Sequence, residues 1–196
     1  MSPLTVYSFD VGFRNFGGVA VTVDRDADGQ VRVKEMMHYF CEDILEAAGC
    51  AARVSRTVQS DRLIRFCADS LVRNLGHVVD TPDVVVVEAQ RGKKESILSG
   101  AILGYYAHAV PGVKLRLMNA LGKFKCTPAG APKTTGTKAQ RHTQLKDAAV
   151  EIAETLFPGM TCELGARAEH CADALCQAVS AGNEAIPKAR KRRAVT

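Results

Sequence analysis

The sequence contains no Cys-x-x-Cys pair, no apolar run of membrane length, no internal repeat and, from Gly112 to Lys146, no acidic residue. Each absence excludes something. The apolar stretch around Val84–Val87 falls far short of the roughly 20 residues that a membrane helix needs, so no membrane partner is expected. The first residues, Met1 to Val6, carry no basic cluster, and Asp10 interrupts the apolar run early, which argues against a secretory signal. Seven cysteines, an odd number without paired spacing, do not make a disulfide framework. They predict reduced thiols and an intracellular protein. A zinc site built from Cys162, His170, Cys171 and Cys176 lacks the spacing of the usual paired-ligand knuckles, and a cysteine is often simply a small buried residue. Disorder is excluded as the main state, because 46% of residues are hydrophobic and the net charge is only +5. A chain of 196 residues can bury a core that needs no staples.

The charge is unevenly placed. The acid-free segment holds Lys114, Arg116, Lys123, Lys125, Lys133, Lys138, Arg141 and Lys146, and the end of the chain adds Lys188, Arg190, Lys191, Arg192 and Arg193. The rest of the chain is net acidic. Basic charge gathered in this way is the footprint of a polyanion, and for the central segment nucleic acid is the favoured partner. The reading for the last residues, 186–196, is a basic, disordered tail after a domain spanning residues 1–185.

Residues 4–10 alternate and are rich in strand formers, so they predict a strand ending at Asp10. A turn through Gly12, Asn15, Gly17 and Gly18 leads to strands over 18–24 and 30–40, giving an antiparallel meander. Helical periodicity follows over 57–74, with Gly76 at its C-terminal end. The β-branched run at 83–88 suits a strand buried on both faces. A helix over 95–109, a strand over 113–118, a long flexible loop over 122–137, and helices over 138–157 and 167–181 complete the pattern. Three antiparallel strands followed by alternating helices and strands predict an α/β fold with a mixed five-stranded sheet and helices on both faces. That is the element order of the ribonuclease H-like fold.

Three acids stand out by position. Asp10 closes the first strand, Glu88 closes the buried valine-rich strand, and Asp173 lies in the last helix with Glu169 and His170 on the same face. Strand ends in the middle of an open α/β sheet are where such sheets place ligands. Carboxylates converging there repel one another unless cations sit between them. Their oxygens suit Mg²⁺ or Mn²⁺, and two such ions about 4 Å apart serve phosphodiester hydrolysis. Singly, each residue has an ordinary explanation. Asp10 before Val-Gly is a common turn former, and a His-x-x-Asp pair arises in helices by chance. Glu88 is harder to dismiss, since a charge directly after a buried strand must find a partner or water. The signal is the set.

The stretch Ser8-Phe9-Asp10-Val11-Gly12-Phe13-Arg14-Asn15, followed by Gly17-Gly18-Val19-Ala20, resembles the first motif of RuvC-like Holliday junction resolvases. Asn15 and the small residues after it fit the poxviral and fungal mitochondrial branch. Val84 to Glu88 with Ala89-Gln90 resembles that branch's second acidic motif, Glu-x-Gln after a buried strand. His170-Cys171-Ala172-Asp173-Ala174-Leu175 resembles the closing Asp-x-x-Asp-Ala-Leu motif. The likeness runs from Leu4 to about Val179. It departs from the pattern at His170, which stands where the family has an acid, and at Ala168-Glu169-His170, so that either His170 or Glu169 supplies the ligand.

The resemblance implies a structure-specific endonuclease that resolves four-way DNA junctions by paired symmetric nicks. Asp10, Glu88, His170 and Asp173 would hold two Mg²⁺ ions per site, with Mn²⁺ able to substitute. It implies a catalytic lysine, Lys138 or Lys146. Arg14, Arg91, Lys123, Lys125, Lys133 and Lys146 are candidate DNA contacts, which would give affinity to the phosphate backbone without sequence information. It also implies a homodimer through the 95–109 helix, so that two sites face the junction's two strands. The favoured setting is viral, in host cytoplasm or nucleus, with a fungal mitochondrion as the other option. Two rivals share these residues: a ribonuclease H-type nuclease acting on RNA–DNA hybrid, and a non-catalytic module that binds branched DNA.

Overall fold

A computed structural model describes residues 2–12, 15–47, 60–78, 81–90, 92–160, 165 and 168–186. The elements run β1 (Leu4–Asp10), β2 (Phe16–Arg25), β3 (Val31–Glu42), α1 (Ile44–Ala47), α2 (Ser60–Leu75), β4 (Val84–Glu88), α3 (Lys93–Ala109), β5 (Lys114–Met118), a 3₁₀ helix (Gly122–Cys126), α4 (Lys138–Leu156) and α5 (Ala168–Ala185). The sheet order is β3-β2-β1-β4-β5. β1, β2 and β3 pair antiparallel, while β4 pairs parallel with both β1 and β5. This is the mixed five-stranded α/β sheet expected from the sequence.

The valine run shows why both faces of the sheet are covered. Side chains alternate across a strand. Val84 and Val86 pack with Val6, Val19 and Val21 against Leu175, Val179 and their neighbours on α5. Val85 and Val87 pack with Tyr7, Phe9 and Ala20 against Leu63 and Leu71 of α2 and Leu98 and Ile102 of α3. A strand with no exposed face has no position for a polar residue until it leaves the core, and β4 leaves the core at Glu88.

α5 crosses the other face of the sheet and is buried along most of its length. Two glycines let it lie close. A Cβ at Gly17 would come within 2.7 Å of the His170 backbone, and one at Gly182 within 2.8 Å of Val23. α4 begins with a capping box, in which the Thr137 hydroxyl accepts from the Gln140 backbone N–H and the Gln140 side chain accepts from the Thr137 N–H.

Two elements differ from expectation. The segment after β5 is not a flexible loop throughout. Its first five residues form the 3₁₀ helix, pinned by the fully buried Phe124 and by the Ser180 hydroxyl, which donates to the Lys123 carbonyl at 2.6 Å. The short α1 was not foreseen; the Asp43 carboxylate accepts from the backbone N–H groups of Leu45 and Glu46 and starts it. The basic tail after Ile186, Arg14, Arg91, Cys50 and Cys162 lie outside the described residues.

Candidate metal centre and nucleic-acid cleft

The parallel pairing of β1 with β4 puts Phe9 opposite Val87, so the next residues, Asp10 and Glu88, leave the sheet side by side. α5 brings Asp173 over them. One ligand oxygen from each of Asp10, Glu88 and Asp173 lies within 4.8 Å of the others, the one such group among the described residues. All three line a cleft of about 440 Å³, together with Lys123, Lys146 and His170.

Each carboxylate has its own environment. Asp10 accepts from Gln90 Nε2 at 3.4 Å and faces His170 Nδ1 at 2.7 Å. Glu88 accepts from Gln177 Nε2 at 3.2 Å, and Gln177 Oε1 accepts in turn from the Ser8 hydroxyl at 3.4 Å. Burial, followed by the neighbouring Asp10 charge, pushes the Glu88 carboxyl up to about 8. Asp173 is also raised, by burial first, with Lys123 pulling the other way. Its Oδ1 lies 2.5 Å from Lys123 Nζ in an ion pair off hydrogen-bond geometry, and among the described residues that oxygen has no hydrogen-bond partner.

His170 and Glu169 do different things. His170 Nδ1 faces Asp10 and its Nε2 faces Glu169 Oε1 at 3.1 Å, so both ring nitrogens point at carboxylates. Burial lowers the affinity of this imidazole for its second proton, but the hydrogen bond to Asp10 and its charge outweigh that and leave it raised. Glu169 also holds Lys146 Nζ at 2.5 Å. The two residues thus form a brace from Asp10 to α4, beside the three-carboxylate group.

The basic residues separate into classes. Lys123 and Lys146 line the cleft. Lys138 is exposed at the first residue of α4 and does not line it, while His142 does. Lys125 pairs with Glu184 at 3.0 Å, and Arg116 pairs with the same carboxylate. Lys133 is exposed. Cys171 and Cys176 are buried, with Cys171 Sγ 2.9 Å from the Phe40 carbonyl and Cys176 Sγ 3.6 Å from that of Ala149. Among the described residues they join no metal-holding group, and Cys162, the fourth member of the zinc set, lies outside those residues.

Two contributors escaped the sequence reading. Gln177 stands one turn after Asp173 in an otherwise apolar helix face, and that lone buried amide was the available signal. Lys123 reads from the sequence as a DNA-backbone contact on a long flexible loop, whereas it is 5% exposed and sits among the acids.

No protein-family model matches this chain, and no curated protein matches it. Solved structures do. RuvC of Thermus thermophilus superposes with a TM-score of 0.57 over 92% of this chain and 95% of that one, at 16% identity. The fold is that of RuvC. T. thermophilus RuvC in complex with a Holliday junction substrate gives 0.56 over 93% and 94%, also at 16% identity. The yeast mitochondrial Holliday junction resolvase Ydc2 gives 0.53 over 91% and 78%, at 14% identity. The RuvC-like architecture, also ribonuclease H-like, therefore spans nearly the whole chain, and its strand ends carry Asp10 and Glu88. Among the described residues no helix is long and apolar enough to cross a membrane.

Proposed function

We propose that the chain is a metal-dependent endonuclease that resolves four-way DNA junctions. The observation that carries this reading is the convergence of Asp10, Glu88 and Asp173 at the strand ends of a RuvC-like sheet, in a cleft that also holds Lys123 and Lys146. The residues fit a divalent cation. Three carboxylates meet within one ion's reach, and the one ion pair that Asp173 Oδ1 makes among the described residues is with the Lys123 ammonium. An all-oxygen donor set suits Mg²⁺, with Mn²⁺ as a substitute. Two such ions would supply charge stabilisation at the attacking and leaving oxygens of an in-line phosphoryl displacement.

The protein's own groups have separable tasks. Asp10 and Glu88 hold the cation from the sheet, and Asp173 closes the set from α5. Gln90 and Gln177 fix which oxygens face the cleft. His170, held between Asp10 and Glu169, orients Asp10 and is the alternative ligand. Lys146 presents a positive charge at the cleft wall, where a phosphate oxygen gains charge. Lys138, Lys125 and Lys133 are assigned to the DNA backbone beyond the cleft, and Arg14 and Arg91, outside the described residues, remain proposed backbone contacts.

A second copy completes the reading. Paired cuts need two sites, and a two-fold dimer supplies them. Helix α3 is the proposed interface. Its exposed stripe contains Ser96, Gly100, Gly104 and Ala107, and a Cβ at either glycine would meet nothing of its own chain. Asn15 and the Glu88-x-Gln90 spacing favour the poxviral and fungal mitochondrial branch, with an intracellular site of action and a viral source preferred.

The test is cleavage of a synthetic four-way junction beside linear duplex and RNA–DNA hybrid, with Mg²⁺ or Mn²⁺, by the natural protein and Asp10→Asn. Paired symmetric nicks in the junction alone, lost in the variant, are expected. Cutting of the hybrid instead would make the protein a ribonuclease H-type enzyme. Binding without cutting under both metals would make it a branched-DNA binder.

A further inference from the structure

Lys123 is an unusual resident for its position. Lysine is almost never fully buried unless paired. Here the side chain is 6% exposed and its Nζ lies 2.5 Å from Asp173 Oδ1, whose own side chain is 7% exposed. The same carboxylate belongs to the group in which Asp10, Glu88 and Asp173 approach within 4.8 Å. The lysine is not an arm that swung in from a mobile loop. Its backbone is fixed to α5 by the Ser180 hydroxyl, two residues on the Asn183 amide donates to the Lys125 carbonyl, and the neighbouring Phe124 is fully buried. Its ammonium also sits 5.6 Å from the centre of the Phe124 ring.

Resting on the metal-dependent reading above, we infer that Lys123 is the built-in counterion of the acid cluster, that it competes with the divalent cation for Asp173, and that metal loading releases its ammonium into the cleft. The physical reasoning is short. Two cations cannot crowd one buried carboxylate without strong mutual repulsion. Three carboxylates without any cation would each carry a large desolvation cost, and Lys123 relieves part of it. The ammonium can satisfy Asp173 alone, whereas a divalent ion engages all three acids, so the ion prevails only when its binding exceeds the loss of that pair. Once displaced, Lys123 has a fixed backbone and a flexible four-carbon stem, and the open side of its surroundings is the cleft. An anionic phosphate oxygen is the partner that its charge fits there. Lys123 is thus a positioning residue whose place depends on whether metal is bound.

The experiment uses the full chain without DNA. Mn²⁺ affinity is measured by the spin-resonance signal of the free ion for the natural protein, Lys123→Met and Lys123→Arg, with thermal melting in chelator as the folding check. Removing the competing charge is expected to tighten Mn²⁺ binding about tenfold in Lys123→Met, while Lys123→Arg stays near the natural value. In the natural protein, labelling of Lys123 by an amine-acetylating reagent, read by mass spectrometry, is expected to speed up severalfold when Mn²⁺ is added. Equal or weaker Mn²⁺ binding by a folded Lys123→Met, or Lys123 labelling that Mn²⁺ leaves unchanged or slows, would overturn the inference. Absence of Mn²⁺ binding in both forms would overturn it as well. Junction cleavage is scored separately, so the nuclease reading stands or falls on its own result.

Discussion

Gly17 pairs with Asp10 across the β1–β2 ladder, and a side chain at Gly17 would strike the backbone of His170. One missing methyl therefore sets how closely α5 approaches the sheet at the site. Gly17→Ala forces a Cβ to within 2.7 Å of backbone atoms that cannot swing away. The expected outcome is a loss of about 1–3 kcal/mol in stability. Cleavage should fall by more than that loss explains, because Asp173 moves with the helix. Denaturant unfolding and single-turnover cleavage, measured side by side, check both.

On the proposed metal-dependent reading, Glu88 would make metal affinity depend on pH. Its carboxyl is raised from 4.5 to about 8 by burial and by Asp10. The folded protein thus holds a proton that the unfolded chain gives up, so this group's contribution to stability is complete below about pH 4.5 and is lost as pH rises towards 8. A metal must displace the same proton. Calorimetric titration with Mg²⁺ should show affinity rising by about tenfold per pH unit up to pH 8 and levelling above it. A flat profile from pH 6 to 9 would contradict this assignment.

Gln177 links Ser8 to Glu88 inside the core. Gln177→Met keeps the volume and removes the donor. Stability should fall by about 1 kcal/mol, since the Ser8 hydroxyl loses its acceptor. Glu88 should take up its proton still more readily, which would shift the rising limb of the cleavage pH profile to higher pH. Thermal melting and a pH–rate series read the two effects.

Lys146 and Lys138 lie on one helix but in different surroundings. Lys146 lines the cleft and holds Glu169, whereas Lys138 is exposed outside it. Lys146→Met should lower the cleavage rate at saturating junction more than tenfold, as loss of one charge that stabilises the transition state does. Lys138→Met should mainly weaken junction binding and flatten its salt dependence. The reverse assignment of rate and affinity effects would make Lys138 the catalytic lysine.

The sheet was legible because its signals are periodic. Val84–Val87 declares a strand with two buried faces, and both faces are buried. Asp10 and Glu88 were legible because an acid directly after such a strand is out of place unless something meets it. Asp173 follows His170 by three residues and Glu169 by four, which placed them together, but spacing cannot tell a ligand from a brace. That depends on what Lys146 and Asp10 do from other elements. Lys123 was hidden for a different reason. Four residues between a glycine and a Thr-Pro step are too few to show a period, and a lysine in a basic segment reads as a surface charge until Phe124 and Ser180 pull it inward.

The side-by-side exit of Asp10 and Glu88 from two parallel strands has a consequence for how such a centre can change. Neighbouring strands sit about 4.8 Å apart whatever side chains they carry. The spacing of the backbone positions that carry these two acids is therefore a constant of the peptide ladder, as fixed as the hydrogen bonds that set it. Only the third acid rides on an element whose position sequence can adjust. On the proposed metal reading, α5 and the surfaces it rests on are therefore where the spacing of the third acid, and with it the fit of an ion, can be tuned.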